Sequence, residues 1–251
     1  MSRILKLETP FMRGPDVKAL QQAMHANKYG DYFRFAVDGV YGPLTAHRVA
    51  ATKWHLGYTV EMIEPVAGDL ILNILTGKTP LSPEMAARRK RREEEKPAPH
   101  PGNTLGEKAL RWALDTVGQH ENPPGSNRCA ATDEWGHGPM PWCNVEVSLA
   151  YIHAGSIAFS KAAQRFQYVP AMLAAAKAGG AGLKVIAFND LQAGDIIVHG
   201  PGAYHTTLHD RFADKSRRLE WDVGGNEGNV GTVFHDIHDA SYADGFIRVT
   251  T

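Results

Sequence analysis

Apolar residues recur at helical spacing in the first third of the chain. Asp16 can cap a first helix, because its carboxylate can accept a hydrogen bond from a free backbone amide. The apolar positions that follow it at helical spacing are Val17, Leu20 and Met24. A second helix is expected to begin near Pro43, and a third to span 67–75. These segments predict a small all-α module of three helices over 13–77.

The pattern of apolar positions changes in the second half of the chain. Residues 104–251 begin with helical patterns, and from about Asp195 apolar and polar positions alternate with a period of two. The strands expected between glycine-rich turns are 195–199, 203–212, 218–223 and 245–250. Helices followed by strands favour an α+β domain with an antiparallel sheet.

Residues 78–103 separate these two regions. Five prolines bracket a run of six basic residues, which Glu93, Glu94 and Glu95 interrupt. Such a composition predicts a solvated linker between a domain at 1–77 and a domain at 104–251. Its middle can be helical, with charge pairs four residues apart. An affinity of the basic run for an anionic polymer is the alternative.

Composition excludes some partners and leaves the chemistry open. The 251 residues carry 27 basic and 27 acidic side chains, so the basic excess of a nucleic-acid-binding protein is missing. No apolar run approaches the roughly 18 residues of a membrane span, and the N-terminus lacks the features of a signal peptide. Two cysteines cannot form a disulfide framework, although a single bridge between them is possible.

A turn in the first region matches a family motif. The segment from Asp38 to Thr45 fits D-G-x-[FY]-G-x-x-T residue by residue and resembles the three-helix peptidoglycan-binding domain. Glycines permit the left-handed turn, and Thr45 can bond the backbone at the helix start. The resemblance implies a wall-binding module, and a helical module without wall affinity is the alternative. Three aromatic side chains are expected in its core rather than on a sugar-stacking surface: Tyr41, Trp54 and Tyr58.

Cys143 carries the strongest chemical signal in the second region. A proline-bounded loop leads directly into an apolar helix that begins at this cysteine, and the free amides at a helix N-terminus favour a thiolate. A cysteine hydrolase also needs an imidazole and a polar group that orients it. His205 lies on a predicted strand, and the next strand and its turn supply Asp222 and Asn226.

The order of these groups resembles the CHAP family of cysteine, histidine-dependent amidohydrolases and peptidases. The matching segments are Glu121 with Pro123–Asn127, Pro141–Cys143, Gly194–Asp195, His205 and Gly224–Asn226. The resemblance covers 105–250 and implies a papain-like α+β fold. It implies that Cys143 is the nucleophile, that His205 is general base and then acid, and that Asn226 orients the imidazole. The residues expected to bind substrate are Trp142, Asn127 and Asp222.

Two positions depart from the family pattern. Thr206 and Thr207 follow the histidine, where many members have a hydrophobic residue and a glycine. Gly224 stands where many members have a glutamate, two residues before the asparagine. Asp222 is therefore an alternative for the third catalytic role. The backbone amide of Cys143 is the expected oxyanion donor.

Other polar groups predict no cofactor and no metal. His205 and His209 share a strand face but diverge too far for shared ligation, and adding His199, His235 and His238 produces no compact zinc motif. The loop 127–138 contains acidic residues without the alternating ligand pattern of a calcium site. Cys129 is expected to be a buried free thiol.

The sequence thus predicts a monomeric peptidoglycan hydrolase that cleaves an amide bond through a thioester on Cys143. A wall-binding module joined to a hydrolase, with no signal peptide, resembles a phage endolysin. Such a protein is made in the host cytoplasm and acts on the cell wall after release, without membrane insertion. Amidase and endopeptidase activity remain alternatives. A non-catalytic wall-binding or virion structural protein is the competing class.

Overall fold

The computed structural model of the chain describes residues 3–27, 37–94, 100–161, 166–227 and 231–251. It separates into two compact units, Met1–Ala98 and Pro99–Thr251. The chain combines α-helices with a six-stranded antiparallel sheet, so the expected α+β class is confirmed.

The first unit is mainly helical. Its helices are α1 (Pro15–Ala26), α2 (Pro43–His55), α3 (Asp69–Leu75) and α4 (Pro83–Glu94). Two short strands, β1 (Met12–Arg13) and β2 (Val40–Tyr41), pair in antiparallel fashion. A 3-10 turn spans Val60–Met62. The core position expected for the three aromatic residues is confirmed, since Tyr41, Trp54 and Tyr58 are all buried.

A buried glutamine organises the turn before α2. The Gln21 side-chain nitrogen lies 3.0 Å from Asp38 Oδ1 and 3.2 Å from Thr45 Oγ1, and its oxygen accepts the Gly39 amide at 2.8 Å. Thr45 also donates to the Val40 carbonyl. The motif residues therefore stabilise the turn by hydrogen bonding to Gln21, because a buried polar group must find partners inside the fold.

The expectation that 78–103 is only a linker is wrong for its central part. Helix α4 lies there, and Arg92 donates to the backbone carbonyls of Trp54 and Tyr58 at 2.5 and 2.9 Å. The Arg92 guanidinium also lies 3.8 Å from the centre of the Trp54 ring. The last carbonyls of a helix lack the amide partners of its interior, and Arg92 adds a hydrogen bond to the Trp54 carbonyl at the end of α2. From composition alone, this arginine is expected to be exposed to solvent. The expected i,i+4 pairs are present, at 2.7 and 3.8 Å.

The second unit contains four helices and the six-stranded sheet. The helices are α5 (Leu105–Asp115), α6 (Ala130–Trp135), α7 (Cys143–His153) and α8 (Val169–Lys177). The strands are β3 (Leu183–Ile186), β4 (Ile196–His199), β5 (His205–Asp214), β6 (Leu219–Glu227), β7 (Thr232–Asp239) and β8 (Ala243–Val249). Single 3-10 turns occur at Phe188–Asp190 and Ala240–Tyr242.

The strands lie in the order β3-β8-β4-β5-β6-β7, and every neighbouring pair is antiparallel. Helix α7 packs between α5 and strands β5 and β6, and this layer contains the main apolar core. A smaller apolar cluster lies around Ile197 and Phe246. The four expected strands are present, and β3 and β7 are additional.

The second unit begins before the predicted boundary at residue 104. His100 Nε2 lies 2.5 Å from the buried Asp210 Oδ1, and Arg111 donates to the His100 carbonyl at 3.0 Å. His100 is therefore fixed to both strand β5 and helix α5, although composition placed it in the linker. None of the helices in the described ranges combines the length and apolar character that crossing a membrane requires.

A close backbone approach fixes α5 beside the entry to β4, and this predicts a specific loss of stability. Gly194 has φ +86°, and a Cβ on it would lie 2.0 Å from the Gly106 carbonyl oxygen. Gly194→Ala should cost at least about 3 kcal/mol, because the clash adds to the left-handed strain. Chemical denaturation of the full-length protein measures the cost.

Gly136→Ala is the matched control for this substitution. Gly136 has the same φ of +86°, but a Cβ on it would meet nothing within 4 Å. Its replacement should cost only the backbone strain, about 1 kcal/mol. Equal losses for the two variants would show that the contact with Gly106 contributes nothing.

Candidate active site

Cys143 is the first residue of α7 and lies at a cleft in the second unit. Its side chain is only 5% exposed, yet it forms part of the wall of a cleft of about 450 Å³. The preceding residue, Trp142, is the helix N-cap, and its side chain makes no capping hydrogen bond. The helix amides next to the sulfur therefore remain available to a negative charge.

The environment of Cys143 favours the thiolate. Burial alone would raise the pKa of the thiol, but the His205 side chain beside it acts in the opposite direction by charge and by hydrogen bonding. The backbone amides of Thr206 and Asn144 add hydrogen bonds to the sulfur. Together they lower the pKa of Cys143 below its ordinary value, as expected for a cysteine paired with an imidazole.

The carboxylate that contacts the histidine belongs to Glu227. Glu227 Oε1 lies 3.2 Å from His205 Nε2, and both side chains are buried. With Nε2 directed at this carboxylate, Nδ1 is the ring nitrogen left to exchange a proton with Cys143. Glu227, the residue after Asn226, is therefore the described carboxylate that can orient the imidazole. Asn226 itself has a left-handed backbone, with φ 62°.

A signal for Glu227 was present in the sequence. The family pattern places a glutamate two residues before an asparagine, and Glu227 and Asn229 have that spacing. Gly224 and Asn226, three residues earlier, have the same spacing but lack the glutamate. Residues 228–230 lie outside the described ranges, so the structure identifies the glutamate alone.

Trp142 is a packing residue rather than a substrate-binding one. Its side chain is fully buried, and its indole N–H donates to Glu121 Oε1 at 2.9 Å. A Cβ on Gly225 would lie 2.3 Å from the Trp142 ring, so strand β6 passes directly against it. The prediction that Trp142 contacts substrate is wrong, because a ring enclosed in this way cannot face a ligand in solution.

A second contact holds the start of β5 against α7. The Thr206 hydroxyl donates to Asn144 Oδ1 at 3.1 Å, and the Asn144 amide group donates to the Phe166 carbonyl. These two residues directly follow His205 and Cys143 in the sequence. Their hydrogen bonds therefore position both reactive side chains, a role that the sequence analysis did not assign to either residue.

Helix α7 also carries a buried acid one turn beyond the cysteine. Burial raises the pKa of Glu146 to about 7, even though Thr116 donates a hydrogen bond to it at 2.6 Å. Below that pH the carboxyl is neutral. It then adds no negative charge that would oppose a thiolate at Cys143.

The wall of the cleft consists of residues that the sequence did not single out. Two tyrosines are prominent, Tyr168 at 66% and Tyr204 at 45% exposure. The described lining residues are Met140, Pro141, Cys143, Gln167, Tyr168, Val169, Pro170, Gly202, Ala203 and Tyr204. Neither Asn127 nor Asp222 is among them, so the structure does not support their predicted contact with substrate. Asn127 lies in the loop before α6, with φ 55°.

Asp222 instead belongs to a buried polar layer on the sheet. It lies 2.5 Å from His238 Nδ1 and 3.5 Å from His199 Nε2, and it accepts a hydrogen bond from Thr207 at 2.7 Å. Burial opposes the charged form, but the two histidines hold the pKa of Asp222 well below its usual range. Asp222 therefore does not substitute for the carboxylate at His205.

His209 pairs with a buried carboxyl group of its own. Its Nδ1 lies 2.8 Å from Glu220 Oε2, and burial lowers the pKa of His209 to about 4. Burial also raises the pKa of Glu220 well above its usual value. The preference for His205 over His209 as the group beside Cys143 therefore agrees with the structure.

Protein-family models, curated proteins and solved structures were each compared with this chain, and none of them matches it. The chemistry of the site must therefore be argued from the geometry of its own residues.

The two free cysteines should differ in reactivity. The pKa of Cys143 is lowered, whereas burial raises the pKa of Cys129. Because only the thiolate reacts, alkylation by iodoacetamide should follow a pH profile whose midpoint lies below that of a free thiol, and Cys143 should carry the label. Peptide mass spectrometry identifies the labelled residue.

Two variants test the cause of this reactivity. His205→Ala removes both the charge and the hydrogen bond that favour the thiolate, so the midpoint should move to higher pH. Cys129→Ser should leave the profile unchanged. A profile that His205→Ala does not move would contradict the assigned pairing.

Proposed function

We propose that this chain is a peptidoglycan hydrolase that cleaves an amide bond with a Cys143–His205–Glu227 triad. The observation that carries the proposal is the arrangement at the cleft. A cysteine with a lowered pKa at a helix N-terminus pairs with a buried histidine, which a buried carboxylate orients. This is the constellation that nucleophilic acyl transfer requires.

In this proposal, Cys143 attacks the carbonyl carbon of the scissile amide. His205 takes the thiol proton through Nδ1, and the sulfur forms a bond to the carbonyl carbon. The resulting tetrahedral oxyanion forms within reach of backbone amides at the start of α7. When the C–N bond breaks, the same proton passes from His205 to the leaving amine, and a thioester remains on Cys143.

Hydrolysis of the thioester completes the cycle. His205 removes a proton from the attacking water, the C–S bond breaks, and the proton returns to the departing sulfur. The products are an amine, a carboxylic acid and the regenerated thiol. Glu227 transfers no proton in these steps. It holds the imidazole in one orientation and stabilises its charged form.

The substrate class follows from the resemblances of the two regions. The turn from Asp38 to Thr45 resembles that of peptidoglycan-binding domains, and the order of Cys143 and His205 resembles the CHAP family. We infer a three-helix wall-binding domain followed by a papain-like catalytic domain. Binding of the first to the wall would raise the local substrate concentration for the second.

An endolysin is the biological role that we propose for this arrangement. The enzyme would be made in the cytoplasm of an infected bacterium and would act on the cell wall after release, as a monomer. Amidase and endopeptidase chemistry would use the same triad. Mass spectrometry of peptidoglycan fragments after digestion would identify the bond, because each activity leaves different new termini.

The nucleophile and the base should each be indispensable for lysis. Cys143→Ser should abolish the decrease in turbidity of purified cell walls, because serine is not acidic enough to ionise at neutral pH. His205→Ala should lower turnover by about 10²- to 10⁴-fold, because proton transfer in both directions is lost. Wall sedimentation should show unchanged binding for both variants.

Cys129→Ser is the matched control, since Cys129 is also buried and free but is not part of the cleft wall. It should keep most of the activity. Unchanged lysis by Cys143→Ser would exclude the mechanism. A wild-type chain that binds walls without releasing any fragment would instead support the non-catalytic class.

Glu227 and Asn226 provide a direct test of the third role. Glu227→Gln keeps the size of the side chain but removes the charge that stabilises the imidazolium. It should reduce kcat by roughly 10- to 10⁴-fold. Asn226→Ala should have a much smaller effect, although it alters the adjacent residue.

The pH profile separates an orienting role from a structural one. Glu227→Gln should both lower kcat and change how kcat depends on pH. Glu227→Asp should restore part of the activity. If Asn226→Ala is the more damaging substitution, the orienting role returns to the asparagine.

A further inference from the structure

Three strands bring a second group of polar side chains together, apart from the cysteine. His199 ends β4, Asp222 lies on β6 and His238 lies on β7. One donor atom from each lies within 4.8 Å of the other two, and all three side chains are buried. Side chains that are far apart in the sequence thus converge on one small volume.

Asp222 joins the two histidines of this group. Asp222 is completely buried, and its described partners are His199, His238, Thr207 and the carboxyl group of Glu220. Among the described residues, no lysine or arginine pairs with Asp222. A buried carboxylate is costly unless positive charge balances it. The carboxyl group of Glu220 beside it supplies no positive charge, so a bound cation would lower that cost.

We propose that His199, Asp222 and His238 bind a divalent transition-metal ion, for which Zn²⁺ is the best match. Imidazole nitrogen and carboxylate oxygen are common zinc ligands, and zinc has no strict geometric preference of its own. The sequence predicts no metal, because it contains no compact ligand motif. The sheet assembles the ligands across strands instead.

The distances suit an ion after a small adjustment. Ligands about 2.0–2.2 Å from a tetrahedral Zn²⁺ lie roughly 3.3–3.5 Å from one another. His199 Nε2 and Asp222 Oδ2 already lie 3.5 Å apart, whereas His238 Nδ1 and Asp222 Oδ1 lie 2.5 Å apart. The second pair must separate by about 1 Å, when the ion replaces the proton that the two atoms share.

The fourth position has a nearby oxygen. Thr207 Oγ1 lies 2.9 Å from His199 Nε2 and 2.7 Å from Asp222 Oδ2. The three ligands and Thr207 are all buried, so the site has no open position for a substrate and the ion would be structural. It would tie β4, β6 and β7 together next to the His205 ring, whose centre lies 5.6 Å from that of His199.

Metal content and Zn²⁺ titration of the full-length protein test this proposal. After treatment with a chelator, the protein should bind one Zn²⁺ per chain by calorimetry, and its Tm should rise on binding. Asp222→Asn and His238→Gln should each weaken this binding by about a hundredfold or more. Circular dichroism checks that each variant is folded.

His209→Gln is the matched control, because His209 is a buried histidine on the intervening strand that pairs with Glu220 instead. It should keep one Zn²⁺ per chain, and so should Cys143→Ser. Three outcomes would overturn the proposal: wild-type protein without stoichiometric Zn²⁺, unchanged binding by Asp222→Asn and His238→Gln, or loss of the ion in Cys143→Ser. The measurement requires no catalytic activity, so it is independent of the hydrolase proposal.

Discussion

The position of the reactive cysteine depends on how the start of α7 packs against β6. Trp142 fills the space between them, with its indole bonded to Glu121 and its ring against Gly225. Because this ring is enclosed, the next residue has little freedom, and Cys143 can only lie at the edge of the cleft. A rigid apolar contact behind Cys143 thus provides the preorganisation that the proposed thiolate mechanism requires.

The sequence was sufficient to predict the elements that depend on local pattern. The positions of Cys143 at a helix start and of His205 on a strand could be predicted, because each kind of element has a clear sequence signature. Glu227 was missed because its pattern was aligned on Asn226, three residues away, and only the geometry selects between the two. The burial of Trp142 could not be predicted, because it depends on tertiary packing, which no local pattern encodes.

Long-range contacts explain the remaining differences between the structure expected from the sequence and the observed one. Helix α4 has the composition of a solvated linker. Its packing could not be predicted, because Arg92 bonds to a carbonyl on α2 that is distant in sequence. Strand β7 contains histidines and aspartates at positions that the sheet buries, so its sequence does not alternate as a half-exposed strand would. Asp222 looked like part of the active site, because nothing local indicates that His199 and His238 enclose it.

The bond between His100 and Asp210 has a practical consequence for exchanging modules between enzymes. Asp210 is buried, and Arg211 and His235 are its other described partners. A fragment of the second unit cut at residue 104 would lose His100 and leave the buried Asp210 carboxylate without one of its hydrogen-bond partners. A chimera that joins another module to the second unit should therefore place its junction before Pro99, where the recombined chain keeps the whole of that unit.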